Sequence, residues 1–479
     1  MTDKDKFTEL CSRDASWRAE LRNSKTAKER TAIPRAVMPQ LPAAYRVTTL
    51  TEEVNQGLSA DQAVLEASRC LDCPKPTCME GCPVGIDIPA FVKNIRRGRP
   101  DLAAEVLRMT SALPAVCGRV CPQERQCESR CIYLKMKKEP VAIGYLERFA
   151  ADSERALRKQ GLRAAPTPPP SNGIRVAVAG SGPAGLSFAG EMAGRGYSVD
   201  VFEALPEIGG VLKYGIPEFR LPNEIVDAEL DNLRALGVTF HPDTIIGKTL
   251  SYDDLADKGF KGLFVASGAG LPRFMGVPGE NLSGIMSSNE YLTRINLMGA
   301  GRPGYATPVA RGRSVAVIGA ERAMIVYRRG ESEMPARIEE IHHAKEEGVE
   351  FMTLSNPVEY LGDEKGRVRA MRLQRMELGE PDASGRRSPV AIPGAVDEIE
   401  VDEVIVSVGV SPNPLIPNAI DGLEVSSRGT IAVNEMLQSS IPTIFAGGDI
   451  VRGGATVILA MGDGRKAAAM MDKYLSEEG

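Results

Sequence analysis

The pattern of hydrophobic and polar positions changes at a connector about one third of the way along the chain. Residues 1–160 are rich in charged residues, and their apolar positions recur at helical spacing. Residues 161–173, GLRAAPTPPPSNG, contain three consecutive prolines, Pro168 to Pro170. Because proline fits neither a helix interior nor a central strand, this stretch predicts an extended connector.

Beyond the connector, short apolar runs alternate with helical stretches. The runs end in glycine or an acidic residue, which is typical of parallel strands covered on both faces. They are IRVAVAG (174–180), YSVDVFE (197–203), GLFVASG (262–268), SVAVIG (314–319), EVIVSVG (403–409) and TIFAGGD (443–449). Residues 351–402 instead alternate in hydrophobicity and contain turn clusters, which predicts an antiparallel meander. The fold class expected is therefore α/β, with parallel sheets and a meander behind an α-helical amino-terminal domain.

Composition narrows the possible functions. The 479 residues contain 58 Lys and Arg against 63 Asp and Glu, which gives a net charge of −5. This mild acidity argues against a nucleic-acid or anionic-membrane surface. The amino terminus, MTDKDKFTEL, has no apolar region typical of a signal peptide, and no apolar run is long enough to span a bilayer. We expect a cytoplasmic protein without nucleic-acid binding or membrane insertion.

Eight of the nine cysteines lie in two runs within residues 70–131. Thiolates are soft ligands, and short turns between them allow several sulfurs to converge on one inorganic cluster. The runs are Cys70-x2-Cys73-x4-Cys78-x3-Cys82-Pro83 and Cys117-x3-Cys121-Pro122-x4-Cys127-x3-Cys131. Structural zinc and disulfides are the alternatives. Zinc favours paired CxxC motifs, of which only Cys70 and Cys73 form one, and disulfides are rare without a signal peptide. The pattern thus favours two [4Fe–4S] clusters.

A dinucleotide-binding fingerprint follows the connector. The strand at 174–179 leads to the glycine turn, then to an amphipathic helix and a second strand that ends in an acid. Such glycines allow a tight turn, close approach of a pyrophosphate and close helix packing, while the helix start faces the phosphates. The acid is expected to bind ribose hydroxyls. The predicted binding residues are Gly180, Ser181, Gly182, Pro183, Ala184, Gly185 and Glu203.

The pairing of CLDCPKPTCMEGCPVGIDIP with CGRVCPQERQCESRC and AIGYLERFA resembles the amino-terminal domain of one protein family. That family contains the small subunit of bacterial glutamate synthase, the large subunit of NADH-dependent ferredoxin:NADP oxidoreductase, and dihydropyrimidine dehydrogenase. The resemblance implies that the cluster ligands interleave between the two runs and that Cys117 is not a ligand. One implied set is Cys70, Cys73, Cys78 and Cys131, and the other is Cys82, Cys121, Cys127 and Glu147. From the residues alone, Glu147 has the alternative of an ordinary solvated helix position.

The same resemblance implies that the dinucleotide is FAD. The segments EIGGVLKYGIP, VASGAG and TIFAGGDIVRGGATVILAMGDGRKAA are similar to flavin-binding segments of two-dinucleotide flavoproteins. Asp449 is expected on the ribitol and the backbone near Val457 beside the pyrimidine ring; a simple turn residue is the alternative for Asp449. The implied FAD residues are Gly209, Gly210, Gly268, Gly448, Asp449, Thr456 and Val457.

The corresponding NADPH site is interrupted. The family's second fingerprint lies between two strands that resemble Ser314–Ile318 and Ala323–Tyr327, but only four residues, 319–322, separate them here. A parallel crossover with its helix needs at least about 10 residues, so we expect that the two strands cannot be adjacent and parallel. Arg328, Arg329 and Arg337 match residues that would bind the 2′-phosphate, with solvated charges as the alternative. We therefore expect NADPH binding to be weakened or lost.

These observations give four expected segments. They are a helical domain with two clusters (1–165), a first FAD-binding part (166–295), a truncated NADPH-binding-like domain (296–402) and a second FAD-binding part (403–479). The resemblance implies electron transfer from NADPH through FAD and two clusters to a partner, either a glutamate synthase large subunit or another redox protein. The alternatives are flavin-based bifurcation with ferredoxin and a relay or assembly subunit that takes no hydride. His342 and His343 are expected at the surface.

Overall fold

A computed structural model describes residues 3–308, 312, 314–316, 322–382 and 385–478. The chain forms two units. Unit 1 combines the residues up to Leu41, Thr51–Ala269 and the residues from Pro412 onward, and unit 2 combines Pro42–Leu50 with Gly270–Ser411. None of the described helices is long and apolar enough to cross a bilayer.

The amino-terminal part of the chain is helical, as predicted. Its helices begin at recognisable caps: α5, for example, starts after Ser59, whose hydroxyl accepts from the amide of Gln62 while the Gln62 side chain accepts in return. The helices are α1 (Asp3–Cys11), α2 (Ser16–Asn23), α3 (Ala27–Ala32), α4 (Ala43–Arg46), α5 (Ala60–Arg69), α6 (Thr77–Glu80), α7 (Ile88–Arg96), α8 (Pro100–Arg108), α9 (Pro114–Val120), α10 (Ile132–Lys135) and α11 (Ile143–Lys159). Short 3-10 turns cover Gln123–Arg125 and Glu128–Arg130.

The rest of unit 1 is a Rossmann-like layer structure. Its five-stranded sheet has the order β15-β4-β1-β2-β3, and every neighbouring pair is parallel. The elements are β1 (Arg175–Ala179), α12 (Pro183–Ala193), β2 (Ser198–Phe202), α13 (Val211–Tyr214), α14 (Asn223–Ala235), β3 (Thr239–His241), α15 (Tyr252–Asp257), β4 (Phe260–Val265), α18 (Leu415–Ala419), β15 (Ile444–Ala446), α19 (Asp449–Arg452) and α20 (Val457–Glu478). The apolar runs thus form parallel strands, as predicted, and the connector from 161 to 173 contains no helix or strand.

Unit 2 contains a second parallel sheet and the predicted meander. The parallel sheet has the order β6-β13-β7-β8-β9, and the antiparallel sheet has the order β10-β11-β12. The elements are β5 (Leu271–Pro272), β6 (Ile285–Ser287), α16 (Ser288–Asn296), β7 (Ser314–Ala316), β8 (Arg322–Tyr327), α17 (Ile338–Glu346), β9 (Glu350–Thr353), β10 (Ser355–Gly362), β11 (Val368–Pro381), β12 (Arg387–Glu400), β13 (Glu403–Val406) and β14 (Val410–Ser411), with a 3-10 turn at Glu331–Glu333. The strands β5 and β14 pair with each other.

The expectation for the strands around the interrupted fingerprint is wrong. Strands β7 and β8 are adjacent and parallel: Ser314 pairs with Arg322 and Ala316 with Met324. Because only three residues of each strand pair, the end of β7 and the start of β8 lie about 8 Å apart. Six residue steps can reach about 20 Å, so a short connection suffices. The predicted extension of the first strand to Ile318 and residues 319–321 lie outside the described residues.

Candidate functional site

Four predicted cysteine ligands line one cavity in the helical part of unit 1, and we call this group the Cys70 site. Three of its cysteines belong to the first run, and the fourth, Cys131, belongs to the second run. Apart from Thr77 and Tyr133, the other lining residues are apolar. The cysteines are Cys70, Cys73, Cys78 and Cys131, and the remaining lining includes Pro76, Ile88, Pro89, Val92, Val141 and Ile143. This convergence agrees with the interleaved ligand set.

The thiols of the Cys70 site affect one another electrostatically. Burial raises the pKa of Cys73 and Cys78, and negative charge on Cys70 and Cys131 raises both further. Four thiolates gathered in this way repel one another, so the ionised set requires a positively charged centre. The donor set therefore fits a cubane cluster, whose iron atoms supply that charge.

The second predicted ligand group, which we call the Cys82 site, is more deeply buried. It consists of Cys82, Cys121, Cys127 and Glu147. Burial raises the pKa of Cys82 to about 11, and negative charge on Glu147 raises it as well. Charge on Glu147 also raises the pKa of Cys121 and of Cys127, after larger contributions from hydrogen bonding or burial. All three thiols therefore lie within electrostatic reach of this one carboxylate.

Glu147 is not the solvated residue that its position on a charged helix allowed. It lies on α11 and is only 5% exposed, and its Oε1 atom has no hydrogen-bond partner among the described residues. Burial, followed by the charge of Glu229, raises the pKa of Glu147 to about 8. A buried carboxylate without a partner is unfavourable unless it is protonated or bound to a metal. This orphaned oxygen fits a fourth cluster ligand.

Cys117 lies beside the Cys82 site without belonging to the predicted set. It is 1% exposed, and its thiol lies 3.5 Å from the Met461 sulfur and 3.9 Å from the Ser111 hydroxyl. None of the nine cysteines forms a disulfide.

The glycines of the fingerprint have two different surroundings. A Cβ atom at Gly180 would lie 2.5 Å from the carbonyl oxygen of Ala266, and one at Gly185 would lie 2.0 Å from that of Gly180. These two glycines are therefore needed for packing. At Gly182, the residue before α12, a Cβ atom would meet nothing within 4 Å. The open space at the helix start fits an approaching pyrophosphate.

Glu203 forms hydrogen bonds within the protein that the fingerprint does not predict. Its Oε2 accepts hydrogen bonds from the Ser181 amide at 2.9 Å and the Ser181 hydroxyl at 2.5 Å, and its Oε1 accepts from the Leu205 amide at 3.0 Å. The Ser181 hydroxyl oxygen in turn accepts from the Gly209 amide at 2.9 Å. The acid thus ties the glycine turn to the Gly209–Gly210 loop. A Cβ atom at Gly210 would lie 2.8 Å from the Gly182 Cα.

Gly448, one of the carboxy-terminal residues predicted to bind FAD, lies against the start of α12. Gly448 has φ +77, and a Cβ atom there would lie 3.0 Å from the Ala184 Cβ. Asp449 is half-buried, its Oδ1 accepts from the Ala455 amide at 3.1 Å, and burial raises its pKa. Thr456 and Val457 lie at the start of α20, while Pro183 is the first residue of α12. The structure therefore brings together residues more than 250 positions apart. Gly268 follows β4 with φ +67.

Sequence reasoning missed Asp463, which is 2% exposed on α20. Its carboxylate accepts from the Gly448 amide at 3.0 Å and from both Nε and Nη2 of Arg452, at 2.6 and 2.5 Å. A buried acid six residues into the helix carries no recognisable motif, so only the structure reveals that it holds the Gly448 turn.

Helix α20 also connects this region with the Cys82 site. The Arg465 guanidinium donates to the carbonyl oxygen of Val84, two residues after Cys82. A Cβ atom at Gly462 would lie 3.0 Å from the carbonyl oxygen of Pro83. One helix thus begins at the predicted flavin residues and packs on the backbone that follows a predicted cluster ligand.

The arginines expected at the NADPH site differ from one another. Arg328 is exposed, whereas Arg329 is 7% exposed and its Nη2 donates to the Asp382 carboxylate at 2.6 Å. The alternative of solvated charges therefore holds for Arg328 and is wrong for Arg329. Arg337 forms an ion pair with Glu339 at 3.5 Å. On α17, His342 is exposed as expected, but His343 is half-buried.

Two protein-family models match the chain. Residues 46–159 match dihydropyrimidine dehydrogenase domain II, 4Fe-4S cluster, and residues 174–464 match pyridine nucleotide-disulphide oxidoreductase. In fold, the chain is similar to FprA of Mycobacterium tuberculosis in complex with NADPH, with a TM-score of 0.53 and 18% identity over 64% of this chain and 85% of that one.

Curated relatives are similar over most of the chain. The glutamate synthase [NADPH] small chain of Azospirillum brasilense is 35% identical, over 90% of this chain and 93% of the relative. That of Escherichia coli K12 is 34% identical, over 91% and 96%. The NADP(+)-dependent formate dehydrogenase subunit beta of Moorella thermoacetica is 37% identical over 84% of this chain, which spans only 60% of that relative.

Proposed function

Because the chain belongs to the family of the glutamate synthase small chains, we propose that it transfers electrons from NADPH through FAD and two [4Fe–4S] clusters to a partner. The chain is an oxidoreductase, and FAD and [4Fe–4S] clusters are the cofactors of its two matched domains. The two ligand sets and the FAD residues predicted from the sequence are part of this proposal. So are the four segment boundaries.

Helix α20 is the observation that supports the proposal best. It begins at Val457, beside the predicted flavin residues, and its Arg465 bonds the backbone next to Cys82. On this proposal the Cys82 site is the one nearer to the flavin, and electrons pass from it to the Cys70 site. Bound flavin would convert a two-electron hydride into single electrons, which is what a chain of clusters requires.

The residues of the chain have supporting roles in this scheme. Glu203 holds Ser181 and the Gly209 loop around the dinucleotide, and Asp463 holds the Gly448 turn. The start of α12 directs backbone amides toward phosphates. Glu147 and the cysteines would hold the clusters. No proton-transferring side chain is required of the protein for electron transfer between clusters.

A redox partner would receive the electrons near the Cys70 site. Four cations flank its cysteines and are exposed, and we call them the basic rim: Lys75, Arg130, Lys135 and Lys137. Relatives named small chains imply a larger partner subunit. We propose a glutamate synthase large subunit or another redox protein with an acidic docking surface, in the cytoplasm, without nucleic acid or membrane insertion.

The short connection between β7 and β8 in unit 2 favours a second function. Only residues 317–321 separate β7 from β8, too few for the helix that a nucleotide-binding turn requires, and Arg329 is already paired with Asp382. On this alternative the chain binds FAD and clusters and relays electrons, but it does not accept hydride from NADPH.

Anaerobic addition of NADPH, followed by absorbance of the flavin, distinguishes the two functions. Bleaching at micromolar NADPH, together with catalytic reduction of ferricyanide, would support the NADPH-dependent function. Bleaching by dithionite but not by NADPH would support the relay. A colourless protein without iron, acid-labile sulfide or flavin would contradict both.

A further inference from the structure

A lysine without a carboxylate partner is buried beside the Cys70 site. Lys93, on α7, is 0% exposed, and its Nζ donates to the carbonyl oxygen of Cys70 at 2.6 Å. Among the described residues, no carboxylate lies within ion-pair distance of this ammonium. Asp72, the buried acid of the same loop, pairs with Arg18 at 2.7 Å and Arg22 at 3.2 Å.

Two more cations share this surrounding. Arg30 is 2% exposed, and its guanidinium donates to the carbonyl oxygens of Ser68 at 2.9 Å and Leu21 at 2.7 Å. Arg96, half-buried at the end of α7, also donates to the Leu21 carbonyl oxygen, at 2.7 Å. Neither has a carboxylate within ion-pair distance among the residues that the structure describes. Positive charge therefore exceeds negative charge around Lys93.

An anion nearby would stabilise this excess, because a buried cation without a counter-ion is strongly unfavourable. Helix α7 itself lines the Cys70 cavity with Ile88, Pro89 and Val92, next to Lys93 in the sequence. A [4Fe–4S] cluster held by four thiolates is an anion, and it gains one more negative charge on reduction. A cluster in this cavity would thus supply the missing counter-charge.

The Cys82 site has the opposite electrostatic character. Its predicted fourth ligand is a carboxylate, Glu147, whose free oxygen has no hydrogen-bond donor among the described residues. The nearby acid Glu128 is paired with Arg35 at 2.8 Å, and Arg465, which donates to the Val84 carbonyl oxygen, is paired with Glu191 at 3.1 Å. Positive charge stabilises the reduced form of a cluster, and negative charge disfavours it.

We propose that Lys93 is the counter-ion of the cluster at the Cys70 site and raises its reduction potential above that of the Cys82 site. This rests on the proposed function, since it requires both clusters. Electrons that reach the Cys82 site from the flavin would then pass downhill to the Cys70 site, one at a time. Lys93 acts through the cluster's surroundings and is a positioning residue, not a ligand.

The test is a redox titration of the anaerobically purified holoprotein, with electron paramagnetic resonance of each cluster as the readout. The signal that changes in Glu147→Gln identifies the Cys82 site, and the other signal belongs to the Cys70 site. In Lys93→Met we expect the reduced-to-oxidised ratio of the Cys70 cluster, at a fixed potential, to fall by at least about tenfold, or 59 mV for a one-electron couple. Lys93→Arg retains the charge and should shift the ratio by less than about threefold. The matched control Lys135→Met removes an exposed charge four residues after Cys131 of the same site, where water and salt screen it, and should shift the ratio by less than about twofold.

Three results would overturn the proposal. They are an unchanged ratio in Lys93→Met with full iron content, an equal shift in Lys135→Met, and a shift confined to the Cys82 signal. If Lys93→Met loses iron, Lys93→Gln and Lys93→Arg decide: iron retained by the arginine variant supports the counter-ion role, and iron lost from both contradicts it. Wild-type protein without iron or sulfide would instead contradict the proposed function itself, so the two failures are distinguishable.

Discussion

At the residue level, Glu147 shows how burial changes the chemistry of a common side chain. Glutamate on a charged helix is ordinarily solvated, and the sequence alone favours that interpretation. The structure instead leaves Glu147 5% exposed, with one oxygen unpartnered among the described residues and within electrostatic reach of three thiols. Burial is a property of the packing of α11 against its neighbours, which no local pattern around residue 147 encodes.

Replacement of Glu147 should affect one cluster and not the other. We expect Glu147→Ala to lose about half of the bound iron, because the Cys82 site keeps three ligands and opens the fourth position. Glu147→Gln keeps an oxygen donor of the same length and should retain most of the iron. Iron and acid-labile sulfide per chain measure both. Loss of iron from the two variants alike, or from neither, would contradict a ligand role for this position.

At the level of elements, the sequence predicted what local pattern determines. Continuous apolar runs predicted parallel strands, and alternation in VRAMRLQRM predicted the antiparallel strand β11, in which exposed Arg369 and Arg372 stand between buried residues. The expectation that β7 and β8 cannot be adjacent and parallel is wrong, because strands that pair over only three residues need only a short connection. The links Ser181–Glu203 and Gly448–Asp463 could not be predicted, since each depends on how helices and strands distant in sequence pack.

The turn between β1 and α12 allows a prediction that separates packing from binding. In Gly182→Ala the new methyl group enters open space, and φ is −69, so the fold should be nearly unaffected while FAD affinity falls at least about tenfold. In Gly185→Ala the methyl group would lie 2.0 Å from the Gly180 carbonyl oxygen, so stability should fall by about 1–3 kcal/mol or more.

Two measurements on each variant check this: the midpoint of thermal unfolding without FAD, and the flavin retained after gel filtration. Equal losses of stability in Gly182→Ala and Gly185→Ala would show that the space beside Gly182 is not a ligand site. Wild-type flavin content in Gly182→Ala would show the same.

At the level of the whole molecule, one exposed region carries charge of the opposite sign to the net charge of the chain. The chain has a net charge of −5, yet the exposed side chains that flank the Cys70 cysteines form the basic rim of Lys75, Arg130, Lys135 and Lys137. None of these four forms an ion pair with another described residue. An acidic chain with an unpaired basic region beside its predicted electron exit would attract an acidic partner there and repel it elsewhere.

Reversal of this charge should slow electron exchange with an acidic protein. With reduced acidic ferredoxin as the probe donor, we expect Lys135→Glu/Lys137→Glu to lower the bimolecular rate of cluster reduction about tenfold at low salt, and the difference to shrink at high salt. The control Lys248→Glu/Lys258→Glu makes the same change of net charge at exposed positions in the FAD-binding part and should lower the rate less than about twofold. Stopped-flow absorbance measures the rates, and photoreduced deazaflavin, a small donor, should reduce all three proteins equally fast. If the control pair slows the reaction as much as the rim pair, only net charge matters and the basic rim is not a docking surface.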